Sequence, residues 1–169
     1  MKVLVVYCHP SKNSFTHTVK KSFIQGLKAA GHTYEVSDLY AEGFHPVMSE
    51  TEYLREGFYQ LDHPVAEDVL REQQRINRAD SIVFIYPDFW TASPAMLEGW
   101  FQRVWTYGFA YGNEPTMKTL EKAIFLVTMG AYPRHKRGEE AREGYTDRIF
   151  RKWGILPCRR DQWFRSCRL

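Results

Sequence analysis

The hydrophobic and polar positions of the chain predict strands that alternate with helices. Three continuous apolar runs, at 3–8, 81–86 and 122–130, are typical of strands buried on both faces. A further strand is predicted around 33–39, where apolar and polar residues alternate. Between these strands the apolar spacing changes from continuous or alternating to helical.

Helical spacing begins at Ser14, recurs every four residues and stops before Gly31. Further helices are predicted over about 65–78, over 94–107 and, with many charges, over 138–153. The aromatic side chains of the 94–107 helix exceed what one core face needs, which suggests a subunit interface. They could instead be buried within the chain.

Two segments have no regular pattern. The connection 40–64 contains Gly43 and Pro46 and is predicted to be an irregular long loop, which is either functional itself or covers something. The tail 155–169 is ambiguous and could hold a short fifth strand.

Strands that alternate with helices at crossover spacing require a parallel sheet with helices on both faces. The sequence therefore predicts an α/β, doubly wound, three-layer sandwich of about five strands. No repeat or linker divides the chain, so residues 1–169 are expected to form one domain. In such sheets the ligand lies outside the carboxyl ends of the strands.

Composition narrows the class of protein only slightly. The net charge of +3 favours anionic ligands, but the basic residues at 134–137 and near the C-terminus are interpreted as solvated surface, and no nucleic-acid partner is predicted. Three cysteines without a C-x-x-C pair indicate a reducing compartment. No apolar run suits a signal peptide or a membrane span, and no metal-ligand spacing is present, so a cytoplasmic protein without a metal site is expected.

The loop after the first strand, His9-Pro-Ser-Lys-Asn-Ser-Phe-Thr16, runs directly into a helix N-terminus. It is neither G-x-G-x-x-G nor a Walker A loop. Its hydroxyls and the free backbone N–H groups of the helix suit an anion such as phosphate. Ser14 or Thr16 could donate to that anion, or Ser14 could be a plain N-cap.

The loops after the third and fourth strands complete the same edge. Phe89 and Trp90 offer flat apolar surface, either as walls of a pocket for a planar ring or as a cover for the helix below. In the loop after the fourth strand, Gly130 has no side chain and would let the backbone approach a ring closely. Tyr132 and His135 lie just beyond and could reach a substrate as proton donors, or could be ordinary surface residues.

Four pieces of sequence together resemble the NAD(P)H:quinone oxidoreductase family, the DT-diaphorase-like branch of the flavodoxin-like fold. The resemblance extends to smaller bacterial relatives, the ancillary proteins of potassium-efflux systems and the general stress oxidoreductases. It covers about residues 1–130 and continues more weakly to 156. The matching pieces are "HP…SFTH", "SDLYAEGFHPVMS", "ADSIVFIYPDFWTASPAMLEGWFQRVWTYGFAYG" and the turn Thr128-x-Gly130.

The resemblance implies a bound FAD or FMN, with "DLYAEGFHPV" favouring FAD, and NAD(P)H as co-substrate. It assigns cofactor contacts to three groups of residues. The phosphate group is His9, Ser14, Phe15 and Thr16; the ring-edge group is Pro87, Asp88, Phe89 and Trp90; the second ring turn is Thr128 and Gly130.

This chain departs from the family at one catalytic feature. Family members carry a Tyr and a His after a Thr-Thr-Gly-Gly turn, whereas this turn reads Val127-Thr128-Met129-Gly130. Gapless counting puts His135 at the Tyr position and Ala141 at the His position. Either Tyr132 or His135 substitutes in catalysis, or the activity is modest. The tail also lacks an expected glycine-bearing strand.

The resemblance implies a cytoplasmic, homodimeric enzyme. Its expected reaction is ping-pong hydride transfer from NAD(P)H through flavin N5 to a quinone or similar acceptor. Two alternatives remain open. One is a regulatory flavoprotein subunit that binds a potassium-efflux transporter in the membrane. The other is a flavodoxin-like electron carrier, which usually has a strongly acidic surface.

Overall fold

A computed structural model describes residues 1–90 and 92–129 of the chain. Within them the strands and helices alternate in the predicted order, except for one additional helix. The strands are β1 (Lys2–Tyr7), β2 (Thr33–Asp38), β3 (Ser81–Pro87) and β4 (Lys122–Thr128), and the helices are α1 (Phe15–Ala29), α2 (Glu50–Gly57), α3 (Glu67–Arg78) and α4 (Ala95–Val104). The predicted charged helix over 138–153 and the possible fifth strand lie outside the described residues.

The four described strands form one parallel sheet in the order β2-β1-β3-β4. Successive side chains of β1 and β3 point to opposite faces, and each face has its own core. Leu4 and Phe84 pack on the side of α3 and α4, while Val5 and Val83 pack on the side of α1. The predicted doubly wound, three-layer α/β architecture is confirmed. The single-domain assignment of 1–169 remains a prediction.

The prediction that 40–64 is irregular is wrong, because α2 lies within it. Ser49 is the N-cap of α2 and forms a capping box with Glu52: its hydroxyl accepts from the Glu52 N–H, and the carboxylate accepts from the Ser49 N–H. The S-x-x-E spacing is the signal that could have revealed this helix. The helix is short, and Glu52 is its one buried residue, so it shows no apolar periodicity.

The packing of α4 settles where its aromatic side chains lie. Trp100 and Phe101 are 0% and 2% exposed and pack against Phe84 of the sheet. The Trp100 indole N–H donates to the buried Glu72 carboxylate at 2.9 Å. The argument for a subunit interface from this helix is therefore wrong, because Trp100 and Phe101 are buried against the sheet of the same chain.

A buried arginine joins α4 to the segments that precede it. The Arg103 guanidinium contacts both oxygens of Asp68 in α3, at 2.6 and 2.9 Å, and Glu52 of α2 at 2.7 Å. Burial raises the pKa values of the two carboxyls, but the hydrogen bonds and charge of Arg103 outweigh it and hold both pKa values below their ordinary range. Gly99 lies against Pro46, whose backbone occupies the space of a Cβ. These contacts fix α4 and hence the loop that leads into it.

Candidate functional site

The candidate site lies at the carboxyl edge of the sheet, where parallel strands deliver three loops to one place. The loop after β1 leads into the N-terminus of α1, the loop after β3 leads into α4, and β4 ends at Thr128. Described residues of all three loops contact one another, as the predicted convergence requires.

Hydrogen bonds among its own residues order the first loop. The Ser11 N–H donates to His9 Nδ1 at 2.9 Å, and the Asn13 N–H donates to Ser11 Oγ at 3.1 Å. Ser14 Oγ donates to the Ser11 carbonyl at 3.0 Å and accepts from the His17 N–H at 3.1 Å. Ser14 is thus the N-cap of α1, and its role toward an anion remains a prediction.

The first turn of α1 carries the free donors of this loop. Phe15 and Thr16 are the first two helical residues, and their N–H groups have no intrahelical partner. No acceptor for either N–H is found among residues 1–90 and 92–129. Two such groups at the positive end of a fifteen-residue helix favour an anion.

A pair of threonine hydroxyls connects the first loop to the third. Thr16 Oγ1 and Thr128 Oγ1 lie 2.7 Å apart, although the residues are 112 positions apart in the chain. Thr16 is 2% exposed, so its hydroxyl lies inside the protein rather than at the surface. Thr128 is half-buried and closes the end of β4.

The second loop is tied to both neighbours. The Asp88 N–H donates to the Thr128 carbonyl at 2.8 Å, and Phe89 forms a two-way backbone bridge with Ala92. The Phe89 ring lies 6.4 Å from the His9 imidazole, centroid to centroid. The three loops therefore form a closed set of contacts.

Apolar side chains around this edge face solvent. Trp90 is 98% exposed and Phe15 is 74% exposed, while Phe89 and Met129 are each nearly half exposed. Trp90 also has φ +52°, a backbone region that is costly for a bulky side chain. The alternative that Phe89 and Trp90 merely cover the helix below is not supported, because Trp90 contributes almost nothing to the core.

A group of titratable residues at the end of β1 was missed by the sequence reasoning. The Tyr7 hydroxyl lies 3.4 Å from His17 Nδ1, and Lys20 Nζ lies 3.8 Å from the Tyr7 ring and 3.1 Å from Asp38. Burial raises the Tyr7 pKa; partial burial and nearby lysines lower the His17 pKa. Lys20 lies four residues after Thr16, on the same helix face, which is the signal that places it here.

Cys8, which follows β1, is fully buried with its thiol free. Burial raises the pKa of this thiol to about 12, so it is an unreactive neutral group next to the site. The remaining predicted residues, Gly130, Tyr132 and His135, lie outside the described residues. No metal-ligating cluster occurs among residues 1–90 and 92–129, and no helix there has the length and apolarity needed to cross a membrane.

The described residues thus form a parallel doubly wound α/β sheet, the class of fold in which ligands lie outside the carboxyl ends of the strands. The chain belongs to the family with the flavodoxin-like fold, whose family model matches residues 1–159.

Individual relatives refine this assignment. The solved structure of an NAD(P)H:quinone oxidoreductase from Methanothermobacter marburgensis is 43% identical, with a TM-score of 0.81 over 92% of this chain and 77% of that one. A ribosyldihydronicotinamide dehydrogenase-like protein of Penicillium crustosum is 31% identical over 80% of this chain and 60% of its own length. NAD(P)H dehydrogenase [quinone] 1 of Rattus norvegicus is 32% identical over 65% and 45%.

These relatives confirm the resemblance to the NAD(P)H:quinone oxidoreductase family. The chain spans about half the length of the curated relatives that it matches.

Proposed function

We propose that this protein is a flavin-dependent NAD(P)H:quinone oxidoreductase. The observation that carries the proposal is the combination, at one edge of the sheet, of free helix N–H groups with exposed aromatic side chains. The 43% identity to a protein named NAD(P)H:quinone oxidoreductase supports the same reaction.

The residues at this edge fit a flavin nucleotide. The N–H groups of Phe15 and Thr16 suit a phosphate, and the flat faces of Phe89 and Trp90 suit a planar ring system. A purely structural role would bury Trp90, whereas it is 98% exposed at a strained φ. A ligand that covers the indole would offset the free-energy cost of exposing an apolar side chain and of its strained backbone.

A bound flavin would supply two-electron chemistry at N5, taking hydride from NAD(P)H and passing it to a quinone-like acceptor in ping-pong order. The helix N-terminus capped by Ser14 would bind the phosphate, and Phe89 and Trp90 would orient planar substrates and exclude water. The FAD form is proposed on the strength of the "DLYAEGFHPV" match. Tyr132 and His135 remain the proposed proton donors.

The test is the visible spectrum of the purified protein, with the released cofactor identified by mass, followed by anaerobic NAD(P)H. We expect a flavin spectrum that bleaches fully with NAD(P)H and recovers on addition of a quinone. A protein that binds neither FAD nor FMN contradicts the proposal. Slow one-electron reduction would favour the electron carrier, and a flavin that NAD(P)H does not reduce would favour the regulatory subunit.

The proposed homodimer now rests on a different surface. A row of aromatic side chains begins in α2 and reaches the turn after α4. The ring centroids are 5.7 Å apart for Tyr53 and Phe58, 5.1 Å for Tyr59 and Tyr107, and 5.6 Å for Tyr107 and Tyr111. Four of these side chains are roughly half exposed or more. Exposed aromatic surface of this kind is typical of an interface, and a second copy is its proposed occupant.

Light scattering of Phe58→Asp tests this interface. We expect the variant to be monomeric at a concentration where the wild type is dimeric. Leu70→Asp is the matched control, because Leu70 is equally apolar and 45% exposed but lies on α3 outside the aromatic row. A dimer that survives Phe58→Asp, or a monomeric wild type, contradicts the proposal.

A further inference from the structure

The Thr16–Thr128 hydroxyl pair contains two protons but only one hydrogen bond. Each hydroxyl has one proton to donate, so one threonine donates within the pair and the other keeps its proton for a different acceptor. The pair is therefore directional, and the direction decides which hydroxyl can serve a ligand.

Burial decides the direction. Thr16 is 2% exposed, and no second acceptor for its hydroxyl is found among residues 1–90 and 92–129. If Thr128 were the donor, the Thr16 proton would be buried without a partner, which is costly. If Thr16 is the donor, the remaining proton belongs to half-buried Thr128 at the edge that faces the candidate site.

We propose that Thr16 is a positioning residue: it donates its buried proton to Thr128 and so aims the Thr128 proton at an acceptor of the bound flavin. This inference rests on the proposed function and deepens it. It changes the role expected of Thr16, whose backbone N–H serves the phosphate while its hydroxyl acts through Thr128.

Thr128 also connects the three loops of the site to one another. Thr128 holds the first loop through its hydroxyl and the second loop through its carbonyl, which accepts from the Asp88 N–H at 2.8 Å. A hydroxyl fixed in this way loses little rotational freedom when a ligand binds, which is the advantage of a preorganised donor.

The test uses four proteins: wild type, Thr16→Val, Thr128→Val and the double variant. Valine is nearly isosteric with threonine and removes the hydroxyl. The apo proteins are compared by thermal unfolding, and the flavin Kd is measured for FMN and for FAD by quenching of flavin fluorescence. Thr18→Val is the control, because Thr18 is an exposed threonine of the same helix.

The two measurements should respond differently. In the apo protein Thr128→Val should lower Tm most, because it strands the buried Thr16 proton, and the double variant should recover most of that loss. The flavin Kd should weaken about tenfold in Thr128→Val and equally in the double variant, and about threefold in Thr16→Val. Thr16→Ser should restore wild-type binding.

Three outcomes overturn the inference: additive losses of Tm, an unchanged flavin Kd in Thr128→Val, or a full effect of Thr16→Val on Kd when Thr128 is already valine. A merely structural pair would change Tm and leave the Kd of the folded fraction unchanged. A wild-type protein that binds neither flavin overturns the proposed function, and with it the inference that Thr128 donates to a flavin. The Tm values of the four proteins would still show which threonine donates in the buried hydrogen bond.

Discussion

Trp90 and Trp100 lie ten positions apart in one aromatic-rich stretch, yet the protein uses them in opposite ways. Trp100 is fully buried, donates its indole N–H to Glu72 and packs against the sheet. Trp90 is almost fully exposed, at positive φ, in the loop that borders the candidate site. One side chain stabilises the fold, and the other is available to a ligand. Aromatic content alone therefore says little about function, whereas position relative to the sheet edge says a great deal.

The largest effect should come from Trp100→Ala. Removing a fully buried indole leaves a cavity and deletes one of the two hydrogen bonds to Glu72 Oε2, which keeps the bond from Ser37, so we expect a loss of about 3 to 5 kcal/mol in the free energy of unfolding. Urea unfolding followed by circular dichroism measures it. Trp90→Ala is the control and should change stability by less than about 0.5 kcal/mol. A similar loss of unfolding free energy in both variants would contradict the conclusion that only Trp100 stabilises the fold.

The buried arginine on the Trp100 side predicts a dependence on pH. Asp68 and Glu52 have depressed pKa values in the folded protein, so their pairing with Arg103 stabilises it above the unfolded values of 3.8 and 4.5. That contribution is lost as pH falls through the lower folded pKa values. The stability difference between wild type and Arg103→Met should therefore shrink between pH 7 and pH 3. Urea titrations at both pH values measure it, and a constant difference would contradict the assignment.

Two glycines allow a similar comparison between a tightly packed position and an open one. Gly99→Ala places a methyl group against Pro46 and should cost about 1 to 3 kcal/mol, because backbone must move to admit it. Gly26→Ala, in α1, meets nothing within 4 Å and should stabilise the protein by about 0.5 to 1 kcal/mol. Thermal unfolding of both variants checks the pair. A neutral Gly99→Ala would mean that the 46 segment is not held against α4.

The sequence was sufficient for those parts of the fold in which pattern and packing agree. The apolar runs of β1 and β3 and the spacing of α4 reflect burial directly, so the parallel α/β class and the site edge followed from them. Helix α2 was missed because it is anchored by a carboxylate, Glu52, rather than by an apolar stripe. The bond between Thr16 and Thr128 was also out of reach, because it joins residues 112 positions apart whose types suggest no pairing.

The smallest stability effect, and the most specific one, belongs to Trp90. Its φ of +52° is unfavourable for tryptophan and costs glycine nothing, while its side chain has almost no contacts to lose. Trp90→Gly should therefore stabilise the ligand-free protein by up to about 1 kcal/mol and, in the proposed function, weaken flavin or quinone binding. Tm of the apo protein and flavin Kd give the two halves of this prediction. Strain maintained against stability is expected where a ligand uses the strained residue. If Trp90→Gly is less stable than the wild type and binds flavin equally well, the indole has contacts that its exposure conceals, and the rim of the site must lie elsewhere on this edge.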